Sequence, residues 1–112
     1  MPTLRSREDF ARVSREGRSR SDRLLLVRFV ANAHDHDRFG ISTGRRLGGA
    51  VRRNRVRRRV REVLRHNPNQ SGHGWDMLIV ARPAASDASF DELRTALERL
   101  LGLVRGSVKT SS

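Results

Sequence analysis

Residues 52–61 read RRNRVRRRVR, seven arginines (Arg52, Arg53, Arg55, Arg57, Arg58, Arg59, Arg61) with Asn54, Val56 and Val60 set among them. Like charges three and four residues apart on a helix repel, so a run this dense makes sense mainly when a strong anion neutralises it. At helical period Val56, Val60, Val63 and Leu64 converge on a stripe about 100° wide, the width a helix needs to dock on a core. The rest of the circumference carries Arg52, Arg55, Arg57, Arg58, Arg59, Arg61 and Arg65, and Glu62 is the sole acid in residues 51–64. Most charge runs are solvated faces, but those mix both signs. This pattern describes a docked helix with an unquenched basic exterior, and nucleic acid is the anion that fits it.

The whole chain leans the same way, with 112 residues, a formal net charge of +12 and a single lysine, Lys109. Guanidinium groups grip phosphate with two bonds and stack on bases, which suits RNA or DNA. Hydrophobic residues make up 36% and aromatics 4%, so the chain forms one domain around a modest, mostly aliphatic core. Cysteine is absent, which removes disulfides, thiolate nucleophiles and cysteine zinc sites together. No apolar run approaches the roughly 20 residues of a membrane helix, and the N-terminus lacks the apolar segment of a signal peptide. The expected location is cytoplasmic, without a membrane partner.

Working outward from the arginine run, Ser6 followed by Glu8 and Asp9 predicts a short first helix that Glu16-Gly17 ends. Residues 24–31 (LLLVRFVA) read as a strand with Leu25, Val27, Phe29 and Ala31 on the core face. After the polar turn at residues 32–37, residues 38–43 (RFGIST) alternate well enough to pair with that strand as an antiparallel hairpin. Gly44, Gly48 and Gly49 open a loop ahead of the arginine helix, and the breakers at residues 67–74 close it. Trp75 begins another strand, WDMLIVA, and Ser89 with Glu92 forms a capping box before Leu93, Leu97, Leu100, Leu101 and Val104 at helical spacing. Residues 1–106 are expected to form the domain and residues 107–112 a flexible tail. His34-Asp35-His36-Asp37 reads as hydrophilic turn, and neither His66 nor His73 adds ligand geometry, so no metal site is expected.

Residues 40–62, GISTGRRLGGAVRRNRVRRRVRE, closely resemble the central motif of the protein subunit of bacterial ribonuclease P. In that motif a strand ending in a basic pair, here Arg45-Arg46, leads into a helix opened by an Arg-Asn-Arg signature, here Arg53-Asn54-Arg55. Residues 4–17 resemble the family's first helix, and residues 75–84 its last strand with the Arg-Pro turn. Departures are Ser14 and Arg28 where the family commonly carries aromatics, and Gly49 where it usually carries asparagine. The resemblance implies an α+β fold like ribosomal protein S5 domain 2: a four-stranded, mostly antiparallel sheet with three helices. The implied order is αβββαβα, with a left-handed crossover at the central helix and an additional short strand near residues 18–21.

The implied function is removal of the 5′ leader from precursor transfer RNA, with the RNA subunit as catalyst, holding most of the Mg2+, and the protein as its accessory. By the same resemblance Arg45, Arg46, Arg52, Arg53, Asn54, Arg55, Arg57, Arg58 and Arg61 contact the catalytic RNA. The resemblance also implies a cleft for the single-stranded leader between the first helix and the open sheet face, with Phe10 at a contact position, and Arg28 and Arg82 are expected to add guanidinium platforms beside it. No catalytic residue and no obligate protein partner are expected on this reading. A ribosomal-type RNA-binding protein shares the charge but does not predict the signature. A major-groove DNA reader carries shorter polar residues among its cations, and a self-sufficient nuclease needs clustered metal ligands that the sequence does not present.

Overall fold

The computed structural model describes residues 3–66 and 74–107. Helix α1 (Arg7–Glu16) starts where the Ser6 hydroxyl accepts a hydrogen bond from the Asp9 amide at 3.0 Å and ends at Gly17. Strands β1 (Arg18–Ser21), β2 (Leu25–Ala31) and β3 (Arg38–Thr43) follow, then a 3-10 turn at Arg45–Leu47 and helix α2 (Ala50–Arg65). Strand β4 (Trp75–Ala81), a second 3-10 turn at Pro83–Asp87 and helix α3 (Phe90–Arg105) complete the order αβββαβα. The capping box of α3 is formed in full: Ser89 Oγ accepts from the Glu92 amide, and a Glu92 carboxylate oxygen accepts from the Ser89 amide. The expected breakers at residues 67–73, His73 among them, and the tail beyond residue 107 lie outside the described residues.

One expectation fails. β2 and β3 do not form a hairpin, because β4 lies between them in a sheet ordered β1-β2-β4-β3. β4 pairs antiparallel with β2 and parallel with β3, while β1 pairs antiparallel with β2. Burial explains the arrangement: β4 is almost wholly enclosed, as a central strand must be, whereas β1 (RSRS) is exposed throughout and suits an edge. The turn at residues 32–37 is long enough to cross two strand spacings of roughly 4.8 Å. A parallel pair needs a crossover, and α2 supplies it between β3 and β4.

Register sets the two faces. Phe29, Met77 and Phe39 stand side by side, as do Val27, Ile79 and Ile41, and this face packs against α2 and α3. Val56, Val60, Val63 and Leu64 of α2 are all buried there, together with Leu93, Leu97, Leu100, Leu101 and Val104 of α3. Phe29 and Trp75 meet edge to face, with ring centres 5.4 Å apart. On the opposite face a small cluster of Leu4, Val13 and Leu78 seats α1, with Phe10, Val30 and Val80 partly buried around it.

Two of the glycines that this packing requires lie beside α1 and α2. Gly40 lets the Phe10 ring lie directly on β3, since a Cβ there would fall 2.5 Å from Phe10 Cε1. Gly48, between the 3-10 turn and α2, has φ of 118°, where an L side chain is strained. Gly40→Ala is expected to cost about 1–3 kcal/mol by displacing the Phe10 ring, read as a lowered urea midpoint at unchanged m-value. A midpoint equal to wild type would show that the ring yields freely.

Candidate nucleic-acid interface

Helix α2 carries eight arginines and one acid in its 16 residues. Three of the arginines have partners within the fold, two by hydrogen bonds and one by an exposed ion pair. Arg57 donates to Asn54 Oδ1 at 3.1 Å and to Thr43 Oγ1, which fixes its guanidinium between α2 and the end of β3. Arg59 donates to the Ala88 carbonyl at 3.0 Å, and Arg52 lies 3.7 Å from the Asp87 carboxylate. Glu62 is held by Arg65 at 2.9 Å and His66 at 2.8 Å, so it neutralises nothing further along the helix.

The side chains of Arg55, Arg58 and Arg61 of α2, and of Arg45 and Arg46 in the preceding turn, make no hydrogen bond or ion pair among the described residues. A shallow groove runs along this exterior, lined by Val51, Asn54, Arg57, Arg58 and Arg61, with Val51 79% exposed. Arg53 points differently from its signature partners. It is half-buried, with its Nε enclosed and unpartnered, because its position falls one turn before Val56 on the docking side. The central Asn54 faces solvent and orients Arg57, a role that spacing alone does not reveal.

The residues expected at the leader cleft all lie across the sheet from α2. Phe10 on α1 is half-buried, its ring over Gly40. The next row of the same face, Leu26, Val80 and Ser42, stays partly exposed beside the helix. Arg82 follows β4 in extended conformation at the end of this open strip and donates to the Asp22 carbonyl at 3.2 Å. Arg28 is engaged otherwise: its guanidinium donates to the carbonyls of Ser14 and Gly17 at 2.8 Å each, capping the C-terminus of α1. A residue that departs from the family pattern thereby anchors the helix carrying Phe10.

A charged cluster that sequence reading missed holds the other end of α1. Asp76, fully buried on β4, accepts from Arg12 Nη2 at 2.7 Å, Arg38 Nη2 at 2.7 Å and Asn32 Nδ2 at 2.8 Å, while Arg38 also pairs with Asp9 at 3.3 Å. Burial alone raises the pKa of Asp76, but the hydrogen bonds from Arg38, Asn32 and Arg12 with their charges outweigh it and hold the carboxyl below its ordinary range. The same hydrogen bond pushes Arg38 up. The available signal was one aspartate inside an otherwise apolar strand, WDMLIVA. Asp37 is likewise structural, buried with its carboxylate accepting from the Trp75 amide at 2.8 Å. Among the described residues no group of three His, Asp or Glu side chains is placed to hold a metal ion.

A mixed sheet with helices on both faces, one of them presenting unpaired guanidiniums in a row, defines a small basic α+β protein built to engage a polyanion. A family model described as Ribonuclease P matches residues 2–105. The chain belongs to the ribonuclease P protein family. It is similar to the ribonuclease P protein component of Roseiflexus castenholzii, 42% identical over 109 residues that span 94% of this chain and 89% of that one. The component from Clostridioides difficile is 32% identical, spanning 88% and 87%. Among solved structures, the RNase P protein of Staphylococcus aureus superposes with a TM-score of 0.82 at 30% identity, covering 93% of this chain and 95% of that one. The RNase P protein of Thermotoga maritima gives 0.79 at 31% identity, covering 96% and 99%. The family's role is 5′ processing of transfer RNA, and ribonuclease P RNA is its partner. That sets aside the ribosomal-type alternative.

Proposed function

We propose that the outer face of α2, with Arg45 and Arg46, grips the catalytic RNA, and that the open strip between Phe10 and Arg82 holds the single-stranded 5′ leader. The observation that carries the first half is the row Arg55, Arg58 and Arg61, left without counter-charge while the valine stripe beneath it is buried. Arg52, Asn54 and Arg57 border the row, Asn54 by holding Arg57 in place. Arg53 supports it from the docked side. For the leader, Phe10 offers a half-buried ring and Arg82 a guanidinium beside a partly apolar strip, the combination that single strands favour. Arg28 acts here as a positioning residue that holds α1.

The reaction is hydrolysis of one phosphodiester, leaving a 5′-phosphate on the mature transfer RNA. Mg2+ held mainly by the RNA subunit supplies the activated water and stabilises charge on the phosphate. The buried carboxylates Asp76 and Asp37 are already engaged by arginines, which fits a protein that leaves metal binding to RNA. The protein's own contribution is positive charge that lessens repulsion between two RNAs, and so lowers the magnesium requirement. The place of action is the cytoplasm. Among the described residues no helix is long and apolar enough to cross a membrane.

Two measurements test this reading. The purified chain, added to a bacterial ribonuclease P RNA with labelled precursor at low magnesium, should stimulate leader removal, and no stimulation would sink it. Phe10→Leu, which keeps apolar volume on Gly40, should weaken precursor binding about 5-fold or more while binding to mature transfer RNA stays unchanged. Equal losses on both ligands would remove Phe10 from the leader site.

A further inference from the structure

Arg59 and Phe90 belong to neither surface above, yet they meet in a groove between α2 and the start of α3, lined by Arg55, Arg58, Arg59, Glu62 and Phe90. Phe90 is partly buried against the main core and also lines the groove. Arg59 is pinned at the wall by its bond to the Ala88 carbonyl, next to the Ser89 cap, so its guanidinium is placed in advance. Arg55 and Arg58 have no ion pair among the described residues. Glu62, tied to Arg65 and His66, gives one side of the groove a negative charge that repels phosphate.

We propose that this groove is a nucleotide subsite: it takes one unstacked base of ribonuclease P RNA against the Phe90 ring, with the flanking phosphates on Arg55 and Arg58 and Arg59 alongside. The inference rests on the reading of α2 as the RNA face and deepens it. Duplex phosphates alone call for arginines only. A ring set among them adds the stacking contact by which proteins hold unpaired nucleotides. An acidic peptide would use the arginines but would gain nothing from a base-stacking ring.

The test uses the full chain and a bacterial ribonuclease P RNA, with affinity, salt slope and base-modification footprint as readouts. Phe90→Leu keeps an apolar side chain on the core and should weaken binding about 5- to 50-fold, with the salt slope unchanged because no charge is lost. One unpaired nucleotide protected by wild type should become reactive while the remaining protections persist. Phe90→Trp should retain affinity and protection. Unchanged affinity and footprint for Phe90→Leu would overturn the subsite. If Phe90→Leu does not fold, Arg59→Gln decides: loss of that one protection supports the proposal, and an unaltered footprint overturns it. A control, the combined Arg55→Ala, Arg58→Ala and Arg61→Ala variant, separates the two readings. If it loses affinity while Phe90→Leu does not, only the subsite falls; if neither loses affinity, the RNA-face reading falls as well.

Discussion

The combined Arg55→Ala, Arg58→Ala and Arg61→Ala variant is expected to bind ribonuclease P RNA about 100-fold more weakly than wild type near physiological salt. Each of these guanidiniums stands on the exposed or half-exposed side of α2 with no acidic partner, so in the free protein its charge is screened only by water and ions. A phosphate that no longer meets its guanidinium keeps the counterions that binding would otherwise release. The plot of log affinity against log salt should therefore flatten by about 2 to 3 units. Folding is not expected to suffer, because removing like charges at helical spacing relieves repulsion and the buried valines are untouched. A thermal midpoint equal to or above wild type, together with the flattened slope, is the expected pair of results. Unchanged affinity and slope in a folded variant would place the RNA elsewhere.

Asp76→Ala is expected to destabilise the fold by about 3–5 kcal/mol, because it leaves Arg38 and Arg12 facing a buried site without their counter-charge. That is a large part of the roughly 5–15 kcal/mol that holds a typical domain together. The pH dependence follows from the depressed pKa. Unfolded, the carboxyl titrates near its ordinary 3.8; folded, it titrates lower. Its stabilising contribution is complete above that ordinary value and drains away as pH falls below it through the folded pKa. Urea unfolding should show a wide gap between wild type and Asp76→Ala at neutral pH, narrowing in acid. A gap constant with pH would mean that the carboxylate charge is not what stabilises. Because the cluster also ties α1 to the sheet, Asp76→Ala should loosen leader binding more than catalytic-RNA binding, as the two proposed surfaces lie on opposite faces of the sheet.

Much of the local structure is legible in the sequence. Ser6, the Ser89–Glu92 box and the leucine spacing of α3 mark helix ends and faces, because caps and periodicity are local signals. The inward face of β2 and the valine stripe of α2 are legible for the same reason. β1 is not readable from RSRS, which has no apolar side chain to report burial, and only the resemblance places it. The hairpin expected between β2 and β3 fails because alternation tells which face a side chain takes and says nothing about which strand lies alongside.

The candidate interface divides along the same line. Residue order alone established an arginine helix with one docking stripe, since charge density and a 3.6-residue period are properties of the chain by itself, and the family resemblance marked Arg53-Asn54-Arg55 within it as the signature. Only the tertiary structure decided which guanidiniums stay unpaired. Arg57, Arg59 and Arg28 find carbonyl or hydroxyl partners 11 to 29 residues away, and Arg12 and Arg38 converge on Asp76 from 64 and 38 residues away. A guanidinium reaches whatever oxygen the folded backbone brings within hydrogen-bond distance, and that distance is set by long-range packing and strand order, not by neighbours in sequence.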